Sequence, residues 1–220
     1  LNLAKKSKRP NIILCEGNLD IVTLHQAGFD NSVASMGTAL TVEQTRLLSR
    51  FTKELVLCYD NDNAGKIATE RALQILNGSE FSVKVLQLPR RLVDGEYIKQ
   101  DADDFIKLQG PDAFERLLNG SENGVEFRMA QIAGKYDLKD DEARIAYCGE
   151  VSELLASLPG AVEREIYTGR AAEAAGITVE AMKLEVQRSF KRRIAREKRA
   201  ELRKNLNLSL IHISEPTRLR

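Results

Sequence analysis

Residues 55–62 read Leu-Val-Leu-Cys-Tyr-Asp-Asn-Asp, an apolar run that leads directly into two aspartates. A short, unbroken apolar run is typical of a strand that is buried on both faces of a parallel sheet. A helical pattern follows at about residues 64–76 and is closed by Asn77-Gly78. This stretch therefore predicts a strand, an acidic turn and a helix, in that order.

Further strand and helix signals flank this stretch on both sides. Three more strands are predicted, at residues 11–15, 32–35 and 82–88. Thr41 and Gln44 have the spacing of a capping box, which predicts a helix between the second and third strands. The alternation of strands and helices over residues 11–120 predicts an α/β domain with a mostly parallel sheet flanked by helices.

The rest of the chain divides into three parts. Beyond Gly120 the strand-like runs stop, and a small all-α bundle is expected over residues 121–207, with Thr178 as the N-cap of its last helix. The helices of this bundle are predicted at residues 122–136, 140–157, 160–175 and 178–205. Residues 1–10 read as the end of a preceding subdomain, so we expect a fragment of a longer protein. Residues 208–220 resemble translated sequencing-adaptor sequence, and we expect them to be a non-native, disordered tail.

Composition narrows the class of protein only a little. Of the 220 residues, 43% are hydrophobic and 30% are charged, which is ordinary for a globular chain, and the net charge of +1 does not indicate a nucleic-acid partner. A basic stretch between Arg188 and Lys204 could track a phosphate backbone or could be a solvated helix face. The three cysteines form no CxxC pair and no apolar stretch reaches membrane length, so we expect a cytoplasmic protein without membrane contact.

Acidic residues follow three of the predicted strands. Glu16 follows the first strand, Asp60 and Asp62 follow the third, and Asp101 and Asp103 lie in the segment after the fourth. Ligands gather at the carboxyl ends of parallel strands, so we expect these carboxylates to converge at one edge of the sheet. Their mutual repulsion then requires either protonation or divalent cations.

The chemistry of these residues favours a hard metal ion. Oxygen ligands without a nearby His or Cys cluster suit Mg²⁺ or Mn²⁺, and two or more such ions suit in-line displacement at phosphorus. Each cluster alone also fits a simpler interpretation: an Asp-x-Asp after a strand is a common turn and helix cap, and Asp101 could cap the helix that follows it. Asp20 could be a surface residue of its helix or could support the metal ligands.

Three segments together resemble the successive motifs of a Toprim domain. They are Cys-Glu-Gly-Asn-Leu-Asp at 15–20, Val-Ala-Ser-Met-Gly-Thr-Ala-Leu at 33–40 and Tyr-Asp-Asn-Asp-Asn-Ala-Gly at 59–65. The middle segment resembles the bacterial DnaG-type primases within that superfamily. Gln-Asp-Ala-Asp-Asp-Phe-Ile at 100–106 is similar to the last acidic motif of those primases, and the helical region resembles the bundle that closes their catalytic core. The resemblance covers about residues 1–207.

The resemblance implies a Toprim catalytic domain at residues 11–120 and a DNA-directed RNA polymerase activity. Such primases make short RNA primers for replication on a single-stranded DNA template, from ribonucleoside triphosphates and with Mg²⁺ or Mn²⁺. Carried over to this sequence, Glu16 would be a metal ligand and a catalytic acid or base, and Asp60 and Asp62 would be metal ligands. Asp101 and Asp103 would complete the acidic site and Asp20 would support it.

The sequence departs from the family in its details and in its extent. The family usually has an aromatic residue and Met at Asn18 and Leu19, Gly at Asn61 and Pro at Ala102, but every carboxylate is kept. We expect the zinc-binding domain, with its zinc, and the basic subdomain to lie outside this chain. The same holds for the C-terminal domain through which such a primase contacts the replicative helicase, and we expect a monomer.

Two other classes of function remain open from the sequence. One is another Toprim enzyme, a topoisomerase or a nuclease, although a topoisomerase would need a nucleophilic tyrosine on a further domain. The other is a non-catalytic DNA-binding module, but recombination mediators of this superfamily carry a cysteine cluster that this sequence lacks. The intact carboxylates favour catalysis over both a scaffold and a degenerate site.

Overall fold

The computed structural model describes residues 1–36, 40–93 and 96–213, and within them every side chain except those of residues 92, 93, 122 and 204–213. The chain divides into two compact units between Arg128 and Met129. The Gly37-Thr38 part of the middle motif lies outside the described residues. No helix in the described ranges is long and apolar enough to cross a membrane.

The first unit alternates strands and helices, after a short 3-10 helix at Ala4–Lys6. Its elements are β1 (Asn11–Cys15), α1 (Asn18–Gln26), β2 (Ser32–Ala34), α2 (Val42–Leu48), β3 (Glu54–Cys58), α3 (Asn63–Leu76), β4 (Ser82–Val85), β5 (Arg91–Val93), β6 (Glu96–Ile98), α4 (Ala102–Gln109), α5 (Pro111–Asn119) and β7 (Glu122–Asn123). The helix α6 (Gly124–Ala133) begins in this unit. The predicted capping box is confirmed, because Thr41 Oγ1 accepts from Gln44 N at 3.2 Å and Gln44 Oε1 accepts from Thr41 N at 3.0 Å.

The main sheet has the strand order β2-β1-β3-β4-β7. The first four strands are parallel, and β7 pairs antiparallel with β4. The predicted α/β fold with a mostly parallel sheet is therefore confirmed. β7 lies beyond the expected domain boundary at Gly120. It was not predicted, because a strand of two residues gives no recognisable pattern in the sequence.

Both faces of the sheet are buried, as the unbroken apolar runs predicted. Alternate residues of a strand point to opposite faces. Leu55 and Leu57 of β3 accordingly belong to one apolar cluster, which also contains Leu73 of α3, and Val56 belongs to another. The second cluster also contains Leu24 of α1, Phe105 of α4 and Phe114 of α5. Helices thus cover both faces and leave the strand ends free to carry polar residues.

A second, small sheet had no counterpart in the sequence prediction. β5 and β6 pair antiparallel as a hairpin, with Arg91 opposite Ile98. The predicted strand pattern stopped at Pro89, and two strands of three residues each are too short to show a reliable alternation. This hairpin links the end of the main sheet to α4.

The second unit is helical, as predicted. It contains α7 (Asp141–Ser157), α8 (Ala161–Ala175) and α9 (Val179–Ile213). Thr178 caps α9, since its hydroxyl accepts from Ala181 N at 3.3 Å. The helix continues past the expected end at residue 205, so the disorder expected from residue 208 is wrong up to Ile213. The reason is that the sequence contains no Gly or Pro between Gly176 and Pro216. Residues 214–220 lie outside the described residues.

Gly65, in the first turn of α3, gives the first prediction. A Cβ atom at this position would lie 2.0 Å from the Asp60 carbonyl oxygen, so the Asp60–Asp62 turn approaches the helix more closely than a side chain allows. We expect Gly65→Ala to lower the free energy of unfolding by about 1–3 kcal/mol in urea denaturation. Gly149 of α7 is the control, because a Cβ there meets nothing within 4 Å. Gly149→Ala should raise stability by about 0.5–1 kcal/mol, and equal effects of the two changes would contradict the close approach.

Candidate metal centre

The ends of β1 and β3 bring the first two acidic segments side by side. In the parallel register of these strands Cys15 lies beside Cys58, so Glu16 and the Asp60–Asp62 turn leave the sheet together. Asp60 N donates to Glu16 Oε1 at 3.4 Å. The convergence that the sequence predicted for these two strands is therefore present in the structure.

A cleft of about 510 Å³ lies at this edge of the sheet. Four carboxylate residues line it: Glu16, Asp20, Asp60 and Asp101. The other lining residues are Gly17, Asn18, Leu19 and Met36. The structure thus collects acidic residues from three segments of the chain around one space.

Glu16 lies in an electrostatically unfavourable position. Burial raises the pKa of its carboxyl, and the nearby charge of Asp60 raises it further. The weak hydrogen bond from Asp60 N opposes this shift only in part. Without a cation, a negative charge on Glu16 therefore costs free energy.

Asp62 is held by a helix end and by a lysine. Its Oδ1 accepts from Gly65 N at 2.8 Å as the N-cap of α3, and its Oδ2 lies 3.3 Å from Lys99 Nζ. The same ammonium lies 3.3 Å from Asp60 Oδ2. The Gly65 N–H and then Lys99 lower the pKa of Asp62, so this carboxyl is stabilised as an anion. Lys99 was missed in the sequence, because nothing in its local pattern shows that it reaches the turn after β3.

Asp20 joins two helix starts at the cleft. Only 8% of the residue is exposed, and its two carboxylate oxygens accept from Gly17 N at 3.2 Å and from Asp103 N at 3.3 Å. Burial, and then the charge of Asp101, raise its pKa, although the two N–H donors oppose the shift. Asp20 therefore fixes the beginning of α1 against the beginning of α4, which fits the supporting position expected from the sequence.

The last acidic segment forms a separate cluster at the start of α4. Ligand oxygens of Asp101, Asp103 and Asp104 lie within 4.8 Å of one another. Asp101 caps α4 by accepting from Asp104 N at 2.7 Å. Asp103 accepts from the Thr23 hydroxyl and from Lys107 Nζ at 2.5 Å; Lys107 first and Thr23 second lower its pKa. The described lining of the cleft includes Asp101 but neither Asp103 nor Asp62.

Met36 adds a strained residue to the rim of the cleft. Its φ is +63°, in the left-handed region that residues other than Gly seldom occupy, and the residue is 65% exposed. Such backbone strain is concentrated at binding and catalytic sites. The sequence showed only that Met36 belongs to the middle motif.

The residues at the cleft fit a divalent metal ion. Asp60 and Asp62 direct one oxygen each towards a common cation, the Lys99 ammonium, at equal distances of 3.3 Å. Glu16 and Asp101 line the cleft together with Asp60 and offer further carboxylate oxygens. Hard oxygen donors of this kind suit Mg²⁺ or Mn²⁺, whose charge would offset the repulsion between them.

Two models of known protein families match the sequence of this chain. A family model described as Toprim-like matches residues 13–106. A second, described as the DnaB-helicase binding domain of primase, matches residues 125–180. The second match corrects one expectation. We expected the helicase-binding domain outside this chain, but a segment that matches the model of that family lies within it, in the region interpreted as the closing bundle of the catalytic core.

Individual relatives point to the same family. The DNA primase of Clostridium acetobutylicum is 36% identical over 183 residues, which are 83% of this chain and 29% of that protein. The crystal structure of a DNA primase domain from Pseudomonas aeruginosa matches with a TM-score of 0.68 and 27% identity, over 85% of this chain and 58% of that one. A DnaG primase catalytic domain bound to single-stranded DNA matches with a TM-score of 0.63 and 28% identity, over 79% and 54% of the two chains. This chain belongs to the bacterial DnaG-type DNA primase family, and it spans less than a third of the curated relative.

The raised pKa of Glu16 gives the second prediction. A carboxyl whose folded pKa is raised stabilises the fold below its unfolded pKa of about 4.3, and this contribution is lost as the pH rises through the folded pKa. We therefore expect Glu16→Gln to raise the melting temperature of the metal-free protein at pH 7.5 by about 1–3 °C and to leave it unchanged near pH 4.

Glu80→Gln is the matched control for this measurement. Glu80 is exposed, and Lys53 lowers its pKa, so its contribution has the opposite sign. Its replacement should leave the melting temperature at pH 7.5 unchanged or lower it slightly. A Glu16→Gln protein that is less stable than the wild type at pH 7.5 would contradict the free-energy cost assigned to the negative charge of Glu16.

Proposed function

We propose that this chain is the metal-binding part of a DNA primase that makes short RNA primers on single-stranded DNA. The observation that carries the proposal is the meeting of Glu16, Asp20, Asp60 and Asp101 around one cleft of a Toprim-like fold. The family membership supports the reaction. The similarity to a DnaG primase catalytic domain bound to single-stranded DNA supports the template.

We assign the metal ligands from the cleft lining and from the turn after β3. Glu16 and Asp60 line the cleft, and Asp62 shares the Lys99 ammonium with Asp60, so these three residues would hold Mg²⁺ or Mn²⁺. Asp101 lines the same cleft and would complete the site, with Asp103 next to it. Bound metal would offset negative charge on the phosphates of the substrate. Asp20 is a positioning residue, since its carboxylate is occupied by two backbone N–H groups.

The proposed reaction is nucleotidyl transfer. The 3′-hydroxyl oxygen of the growing primer forms a bond to the α-phosphorus of a ribonucleoside triphosphate, and pyrophosphate leaves. Glu16 would accept the proton of that hydroxyl. Burial and Asp60 raise the pKa of Glu16 and so make it a better base than an ordinary surface carboxylate. The N–H groups that hold Asp62 and Asp20 would keep the remaining carboxylates in place during the transfer.

We also propose that the helical region contributes to contact with the replicative helicase. The match of residues 125–180 to the helicase-binding family supports this assignment. Exposed apolar side chains on α7 and α8, namely Ile145, Val162 and Ile166, are the described residues in this stretch best suited to such a contact.

Primer synthesis can be tested in a protein of the relatives' length. The matching segment of the Clostridium acetobutylicum primase would be replaced by this chain, and labelled ribonucleotide incorporation on single-stranded DNA would be measured with Mg²⁺. We expect template-dependent RNA primers, and a loss of about 100-fold or more with Asp60→Asn combined with Asp62→Asn. The same protein with Glu80→Gln should be as active as the unsubstituted one. Relaxation of supercoiled DNA, or strand cleavage without ribonucleoside triphosphates, would instead indicate another Toprim activity.

A further inference from the structure

Lys99 forms the only described ion pairs of Asp60 and Asp62. It follows β6 of the hairpin, and its ammonium lies 3.3 Å from one oxygen of each aspartate. The lysine side chain is 57% exposed, whereas those of Asp60 and Asp62 are 24% and 34% exposed. The cation therefore caps the acidic turn from the solvent side.

The hairpin is attached to the same turn at its other end. Arg90, just before β5, donates to the Asn61 carbonyl oxygen at 3.4 Å, and Asn61 Nδ2 donates to the Leu88 carbonyl oxygen at 2.9 Å. Because the backbone before the hairpin is fixed in this way, Lys99 is directed to the turn by the fold as well as by charge. Loss of the Lys99 contacts would leave the Arg90 end attached.

The burial of Gln100, the residue after Lys99, is unfavourable in free energy. Gln100 is only 3% exposed, and neither atom of its amide has a hydrogen-bond partner among the described residues. A buried amide without partners is unfavourable. The segment that carries Lys99 therefore gains from any rearrangement that gives Gln100 partners.

We propose that Lys99 is a built-in counterion of the metal centre, which a divalent cation must displace. The inference rests on the proposed function, since it takes Asp60 and Asp62 as metal ligands. A metal ion bound by these oxygens would lie about 2.0–2.6 Å from them. An ammonium held 3.3 Å from the same two oxygens would then face a double positive charge at contact distance, so the two cations exclude each other.

The displacement has a consequence for metal affinity. Before the metal arrives, the Lys99 ammonium lies 3.3 Å from both Asp60 and Asp62 and offsets the repulsion between them. Metal binding must break two ion pairs that are partly open to solvent, and pairs of this kind are weak. Lys99 therefore reduces the affinity for metal by a modest factor and does not block the site.

The test is calorimetric titration of this chain with Mn²⁺. Lys99→Met removes the competing charge, and we expect the dissociation constant to fall by about three- to tenfold. Lys99→Arg keeps a cation at the site and should bind Mn²⁺ no more tightly than the wild type. Lys66→Met is the charge control, because Lys66 lies in the first turn of α3 but has no ion pair with either aspartate in the described structure. It should change the dissociation constant by less than about twofold.

A second measurement separates displacement from a purely structural effect. Without metal, Lys99→Met should melt at a lower temperature than the wild type, and saturating Mn²⁺ should abolish this difference. A wild-type chain that binds no Mn²⁺ would overturn the metal centre and with it the proposed function. Normal binding by the wild type, with unchanged or weaker binding by Lys99→Met, would overturn only the role of Lys99. Equal tightening by Lys66→Met would overturn it as well, since net charge would then be the cause.

Discussion

Repulsion between carboxylates at one edge of the sheet is the constraint on which the rest of this structure depends. Parallel strands end at the same edge, and this sequence places Glu16 and Asp60 directly at two neighbouring ends, with Asp101 facing the same cleft. Burial raises the pKa of Glu16, so the site is unfavourable without positive charge. Positive charge at this edge would offset the repulsion, and without it the surrounding groups must hold the carboxylates in place.

Three helix starts supply part of the required positive charge. α1 and α4 begin at the cleft, α3 begins at the end of the Asp60–Asp62 turn, and the first N–H groups of all three carry a partial positive charge. Asp62 accepts from the start of α3, Asp101 accepts from that of α4, and Asp20 joins the starts of α1 and α4. The backbone groups that stabilise these turns would also position the proposed metal ligands, and Gly65 lets the Asp60 carbonyl oxygen approach the start of α3 closely.

The strands, the order of the sheet and the convergence of the acidic residues could be predicted, because they follow from local apolar runs and from the rule that parallel strands end together. The contact of Lys99 with Asp60 could not be predicted. The two residues are 39 positions apart in the sequence, and the hairpin that brings them together has strands of only three residues each. The place of Asp103 also depends on a distant contact, with Thr23, that no spacing reveals. The length of α9 was underestimated, because an unusual sequence after residue 207 was interpreted as a break although it contains no helix-breaking residue before Pro216.

The most direct test of a metal centre at this cleft is anomalous X-ray diffraction from crystals of this chain soaked in Mn²⁺. The account predicts an anomalous peak about 2.0–2.6 Å from carboxylate oxygens of Glu16, Asp60 and Asp62, with the Lys99 ammonium moved away from both aspartates. A peak only at the Asp101, Asp103 and Asp104 cluster, or Mn²⁺ absent from the cleft at saturating concentration, would contradict it.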